Sequence, residues 1–396
     1  MQLANRLSKL EESATLAMSR LARELKAQGK DIISLSLGEP DFNTPQFIKD
    51  AAVEALNQNY TKYPPVQGYD DLRDAVVEKF KRDNGLNYKR ENIIVSTGAK
   101  QSIANVVFSC VSEGDEVLIP APYWVSYIEI VKMADGIPIV IPTTMDTDFK
   151  LTADALEKAI TPKTKMLIYS SPCNPTGSVY SYEELKALAE VIAKYPNLIV
   201  ISDEIYEHIN FKGKHESLAQ FEAVFNQVVT INGVSKAWAM TGWRLGYIGA
   251  PTNIASACNT IQGQFTSGTN SIAQRAALAA VKADVSVLKD MVAAFKNRRD
   301  LCLRLLADIP GIKCNVPDGA FYLFPDVTAY FGKKHEQYTI NSASDLATFL
   351  LNEANVALVT GEAFGDEKCI RISYATSEEI LEEALRRIKL ALAKLH

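Results

Sequence analysis

Lys236 stands in the stretch SKAWAMTGWRLG (235–246), among small and apolar residues, with Arg244 eight positions later. Burying either cation without a partner is costly, so their place in a segment that reads as interior asks for a reason. A lysine there has two readings. It can reach water over its apolar neighbours. It can also sit in a partly dry pocket, where burial and a nearby arginine favour the neutral amine, which attacks carbonyls and gives imines. Arg244 itself could equally form an ion pair with a surface carboxylate.

Three other apolar runs end in polar groups. NIIVST (92–97) leads into Gly98-Ala99-Lys100. A glycine before a helix start lets an anion approach the unpaired N–H groups there, although an ordinary strand-to-helix turn looks the same. KMLIYSS (165–171) ends in Pro-Cys-Asn-Pro with Asn174, and LIVISDE (198–204) carries Asp203 and, just after, Tyr206. A carboxylate at the end of an apolar strand needs a partner, whether a helix cap, an ion pair or a protonated ring nitrogen. Asn174 and Tyr206 could hydrogen-bond a phenolic oxygen, or be a turn asparagine and a core tyrosine. Neither G-x-G-x-x-G nor G-x-x-x-x-G-K-[ST] occurs, which disfavours dinucleotides and P-loop nucleotides. Taken together, a carbonyl-seeking lysine, a cradle for one phosphate, a carboxylate for a pyridinium and donors for a phenolate describe pyridoxal 5′-phosphate.

The elements that must position these groups alternate between helix and strand, which argues for an α/β sheet between helical layers. Six runs read as strands: 92–97, 116–121, 137–143, 165–171, 198–204 and 228–233. They are apolar without alternation, as in strands buried on both faces of a parallel sheet. Ligands bind outside the carboxyl ends of such strands, so the polar ends above would share one rim. Helices are expected from Thr44-Pro45 with Ile48, Ala52 and Leu56 inside, through Leu72, Val76 and Phe80 to a stop at Gly85, and after the capping box Ser181/Glu184. Thr376 with Glu379 would open the last helix, burying Ile380, Ala384 and Ile388. Strands at 321–327, 356–364 and 369–375 around a helix at 346–355 suggest a smaller α+β unit. The expected division is a large domain at 46–290 and a small one from both chain ends, 1–45 and 291–396.

Composition narrows the class. The 396 residues are 47% hydrophobic and 22% charged, with a formal net charge of -5 and no basic run for nucleic acid. The six cysteines form no C-x-x-C and the four histidines are scattered, so no metal site is expected. The chain start lacks the apolar core of a signal peptide, and no run reaches the ~18 apolar residues of a membrane span. A reducing, cytoplasmic setting is expected.

The stretches LGEPDFNTP, TKYPPVQGYDDLR, STGAKQ, APYWVSY, SSPCNPTGSVYS, SDEIYEHI, SKAWAMTGWRLGYIGAP and RISYA, in this order, carry a resemblance over nearly the whole chain. It resembles the class I aminotransferases of the fold-type I pyridoxal-phosphate enzymes, nearest to the bacterial aspartate aminotransferases that include aspartate/prephenate enzymes. The resemblance implies the following roles. Lys236 binds the cofactor and shuttles the proton; Asp203 faces the pyridinium; Asn174 and Tyr206 hold the ring oxygen; Trp124 stacks on the ring. Gly98, Ala99 and Arg244, beside Lys100, hold the phosphate, and Tyr63 reaches the cofactor of the second subunit of a homodimer. Arg371 and Gly38 take the substrate α-carboxylate next to Trp124 and Asn174, and Lys100 the distal carboxylate of aspartate. Members that accept prephenate carry a lysine two residues before the Ser13-Ala14-Thr15 motif; Glu11 stands there, which argues against prephenate. Cys173 receives no role.

The implied activity is transfer of the amino group of aspartate to 2-oxoglutarate. Alternatives are an aromatic, broad-range or prephenate aminotransferase, a C–S lyase or decarboxylase on the same cofactor, and a non-catalytic regulator. The regulator would need a DNA-binding segment for which the residues before the first core motif leave little room. A nicotinamide dehydrogenase lacks its glycine fingerprint.

Overall fold

The computed structural model describes residues 3–396. At its centre lies a seven-stranded sheet. Its spatial order is Ile93–Ser96, Gly246–Gly249, Val228–Gly233, Ile199–Asp203, Thr164–Ser170, Glu116–Ala121 and Ile137–Pro142. Six of these are the expected runs, and they point the same way. Gly246–Gly249 is antiparallel to both neighbours, with Ile248 opposite Ile94 and Ile231. A four-residue strand with glycine at both ends has no periodic signal, which is why the sequence hides it. Gly246 is required there: a Cβ on it would lie 2.4 Å from the Ala99 nitrogen, where the neighbouring strand turns into its helix.

The expectation of strands buried on both faces fails at one place. Ile137–Pro142 is the sheet's edge, and Ile137 and Val140 are exposed. Its prolines, Pro138 and Pro142, suit an edge, since neither can donate to a further strand.

The helices follow their caps more closely than their apolar spacing. Ser181 and Glu184 form the reciprocal capping box, at 2.7 and 3.3 Å. The helix Asp70–Lys79 buries Leu72 and Val76, continues through a π turn at Phe80–Asn84 and ends at Gly85 with φ +69°. The helix Gln46–Asn57 buries Ile48, Ala52 and Ala55, whereas Leu56 is exposed. Eight residues on from Ile48, Leu56 is rotated by about 80°, while seven residues brings Ala55 back almost into line. The final helix, Glu378–Leu392, begins one residue later than expected. Ser377 is its cap, accepting from the Ile380 N–H at 3.4 Å, and Ile380 points outward while Leu381, Ala384 and Ile388 are buried.

The second unit holds an antiparallel sheet in the order Val359–Thr360, Ile370–Ser373, Tyr322–Leu323. The long strand expected at 356–364 is broken into Val356–Ala357 and Val359–Thr360 and closes in a turn, Gly361–Phe364. A Cβ on Gly361 would meet the Asp366 carbonyl at 2.2 Å, so the chain folds back tightly there. Ile33–Ser34 pairs in parallel with Val356–Ala357, and Leu35 O accepts from the Ser373 N–H at 2.9 Å. Ile33–Leu35 thus lie against the C-terminal strands, whereas Lys9 and Glu11 reach Asp135 and Glu129 beside the helix Ser126–Met133. No helix among the described residues is long and apolar enough to cross a membrane, and all six cysteines are free.

The corrected cap generates a prediction. Ser377→Ala should destabilise the protein by about 1 kcal/mol in urea unfolding. Thr376→Ala should stay within about 0.5 kcal/mol of the parent. The reverse order would restore Thr376 as the cap.

Candidate active site

The carboxyl ends of the parallel strands open onto a cavity of about 410 Å³. Lys100, Asn174, Asp203, Tyr206 and Lys236 follow four of those strands into its wall; Trp124 follows a fifth. Gly38, Tyr322 and Arg371 reach it from the second unit. Four cations line it (Lys100, Lys236, Arg244 and Arg371) against two carboxylates, Glu39 and Asp203. That balance favours an anionic occupant. Of the residues named from sequence, two stand outside the wall. Gly98 lies directly behind Arg244, and Tyr63 is 96% exposed.

Lys236 donates from Nζ to the Gly38 carbonyl at 2.5 Å and lies over the rings of Tyr206 and Phe321. Burial, above all, lowers its pKa to about 8; Arg371 and, less, Arg244 push the same way, while Glu39 and Asp203 oppose. Burial leads and Arg244 helps, as the sequence suggested, with Arg371 as a larger cation effect that it did not suggest. Arg244 is not interior: it is exposed, holds φ +55°, and donates to the Thr241 carbonyl at 2.9 Å.

Gly98 has φ +85°, and a Cβ there would meet Arg244 Nη2 at 2.6 Å. Its N–H already donates to Ser96 O at 2.8 Å. Gly98 thus contributes room, and donation falls to the first N–H groups of the helix Ala99–Cys110 and to the guanidinium. Lys100 sits at the mouth, its ammonium 5.0 Å from the Trp124 ring centre, with its pKa lowered by desolvation and by Arg244.

Asp203 is buried at the cavity floor. Burial raises its pKa to about 6, although the Tyr127 hydroxyl donates to it at 2.7 Å and the Ile205 N–H at 3.3 Å. Arg371, 1% exposed, donates to Asn174 Oδ1 at 2.9 Å and to Ser36 O at 2.6 Å, and stacks on Tyr322 and Phe364. Its Nε has no partner, and no carboxylate pairs with it among the described residues. Tyr206 and Tyr322 share a hydrogen bond at 2.7 Å.

Sequence reading missed Tyr127, Tyr322 and Glu39. Tyr127 carried a signal, three residues after Trp124 and hence on the same side of a helical turn. Tyr322 carried none, since an aromatic in a short strand reads as core. Glu11 is exposed and absent from the cavity wall, its N–H bonded to Glu129 Oε2 at 2.9 Å. Ser13, Thr15 and Leu16 line the cavity instead. Any repulsion of a dicarboxylate by Glu11 would therefore act at a distance, from an exposed side chain two residues outside the wall.

These residues fit pyridoxal 5′-phosphate. The amine is buried and kept partly neutral; a space that any Cβ would fill sits beside a guanidinium and a helix start; and a buried carboxylate and two donors face the same cavity.

A family model described as "Aminotransferase class I and II" matches residues 30–388. A probable aspartate/prephenate aminotransferase of Rhizobium leguminosarum bv. phaseoli is 48% identical over 98% of each chain. An aspartate aminotransferase structure from Rhizobium meliloti superposes with a TM-score of 0.97 at 42% identity, covering 100% of both chains. One from Thermus thermophilus, with maleate, gives 0.93 at 39%, covering 99% of this chain and 100% of that one.

Removing the Tyr127 hydroxyl withdraws a hydrogen bond that favours the charged form of Asp203. Tyr127→Phe should therefore raise the Asp203 pKa above about 6, by roughly half a unit to one unit. Carboxyl-13C NMR of aspartate-labelled protein measures it, and a fall would contradict the geometry.

Proposed function

The chain belongs to the class I and II aminotransferases, and on that premise we propose that it transfers the amino group of L-aspartate to 2-oxoglutarate, giving oxaloacetate and glutamate. It is a pyridoxal 5′-phosphate-dependent transaminase. One observation carries the reading: a buried amine and a buried guanidinium without a carboxylate partner share one cation-rich cavity. When bound, the cofactor supplies an aldehyde for the amino group and a ring that takes up the charge left on the α-carbon.

The chain's own residues do the rest. Lys236, with a pKa of about 8, accepts the α-proton and returns it on the other side of the transfer. Asp203 holds a proton at the ring nitrogen, and Asn174 and Tyr206 donate to the ring oxygen. Ala99 and Arg244, in the room left by Gly98, take the phosphate. Trp124 would stack on the ring face, while Tyr206 and Phe321 lie against Lys236 and keep water from it. Arg371 binds the α-carboxylate by its planar fork, beside Gly38. Lys100 at the mouth suits a distal carboxylate; the Thermus thermophilus neighbour is a structure with maleate, itself a dicarboxylate. Prephenate is a second reading. The Rhizobium leguminosarum relative's name favours it, while the negative charge of Glu11 counts against it.

The division into 46–290 and a smaller domain from 1–45 with 291–396 is proposed on the strand pairing of the chain ends. A homodimer is proposed because Tyr63, which the resemblance assigns to the second subunit's cofactor, is 96% exposed and outside this chain's own cavity. Free thiols support a cytoplasmic setting.

Aspartate with 2-oxoglutarate should yield oxaloacetate and glutamate in a coupled assay, and Lys236→Ala should lose on the order of 10³-fold or more in rate. Pyruvate or carbon dioxide as the product, or full activity in the variant, would refute the reading. Light scattering should give twice the chain mass. Tyr63→Ala should weaken cofactor retention without changing that mass, and unaltered retention would remove Tyr63 from the partner's site.

A further inference from the structure

Behind the loop that follows Ile199–Asp203 lies a second polar cluster, which the proposed reaction does not use. Asp203 and Tyr206 face the cavity. Glu204 and Glu207 are 1% and 4% exposed and have their partners on the far side. Glu204 Oε1 accepts from Ser202 at 2.9 Å and from Ser217 at 2.6 Å, and its Oε2 lies 2.9 Å from His215 Nε2. Glu207 pairs with Lys79 and His208 and accepts from Asn84. Ligand atoms of Glu204, Glu207 and His215 lie within 4.8 Å of one another. Lys79 and His215 already engage the two carboxylates, so the cluster is an ion network and not a vacant metal site.

Buried ion networks are not stabilising by default; apolar packing often serves as well. The position of this one is informative. Glu204 is joined by one peptide bond to Asp203, and the backbone around it is pinned. The Glu204 N–H donates to Ile231 O at 2.9 Å, and Asp203 O accepts from the Ser171 N–H at 3.1 Å. The groups around the Asp203 carboxylate are the Tyr127 hydroxyl, the Ile205 N–H and Lys236, which favour its charged form, and Glu204, which disfavours it. The Cys173 thiol is also close enough to feel its charge. Around His215 stand Glu204, Glu207 and Lys79, and the two carboxylates raise its pKa against the effect of burial and of Lys79. The two carboxylates thus favour the cationic form of His215.

We propose that Glu204 is a positioning residue for Asp203: held by Ser202, Ser217 and His215, it fixes the Asp203 carboxylate toward the cavity and places a negative charge behind it, with His215 as the counterweight. The proposal rests on the reading of Asp203 as the ring-nitrogen partner.

Two substitutions should act in opposite directions, which a merely structural role would not produce. Glu204→Gln keeps the shape and removes the negative charge, so the Asp203 titration should fall. His215→Gln keeps a donor to Glu204 and removes the positive charge, so it should rise. Each shift should be about half a pH unit. Carboxyl-13C NMR of aspartate-labelled protein without cofactor reads it directly, with the resonance assigned by its loss in Asp203→Asn. The pH titration of the visible absorbance of the loaded enzyme should move in parallel. If either variant fails to fold, Ser217→Ala, which withdraws a donor from Glu204, should shift Asp203 upward. Shifts of one sign, or none, in a protein that loads cofactor normally would overturn the role of Glu204. A wild-type protein that never develops the visible band would count instead against the aminotransferase reading.

Discussion

Exclusion of water from one cavity is the constraint on which the rest of the structure depends. Burial disfavours whichever protonation state is charged. It therefore lowers Lys236 to about 8 and raises Asp203 to about 6, and in both cases it is the largest cause. A single physical effect thus brings a base and an acid toward neutral pH from opposite sides, as perturbed groups in functional clefts often are. Neighbouring charges then adjust each: Arg371 and Arg244 add to the effect on Lys236, and Tyr127 moderates the effect on Asp203.

The cavity exists only because two parts of the chain meet. The parallel strands deliver the reactive side chains at their carboxyl ends, but Gly38, Tyr322 and Arg371 come from the other unit. Arg371 is oriented by Asn174 on one side and by the Ser36 carbonyl on the other, with Tyr322 and Phe364 stacked on its plane. Its unpartnered Nε is a buried donor in want of an acceptor. An anion held there engages both units at once. Gly38 lies so near the Tyr322 hydroxyl that a Cβ would meet it at 2.4 Å, and within the sheet Gly246 passes equally close to Ala99.

Where sequence reasoning failed, the failures share causes. Leu56 and Ile380 satisfied a four-residue spacing that drifts off the buried face of a 3.6-residue helix. Gly246–Gly249 was too short and too glycine-rich to signal a strand. Ile137–Pro142 was as apolar as its neighbours, yet lies at the sheet's edge. Arg244 seemed interior by its company and is exposed, because the chain turns outward at a left-handed residue.

The sequence by itself determined the chemistry available: one lysine after a buried strand, a glycine before a helix start, an aspartate at a strand end, and an order of motifs that assigns the family. These were legible because strand periodicity, caps and residue types are local properties of the chain. Only the tertiary structure decided that Gly98 makes room without donating, that Glu11 is not in the cavity wall, and that Glu204 pairs with His215 on the side of the loop away from the cavity. Those facts depend on contacts between residues far apart in the chain, and on which side of a loop each side chain is buried, which no local pattern records.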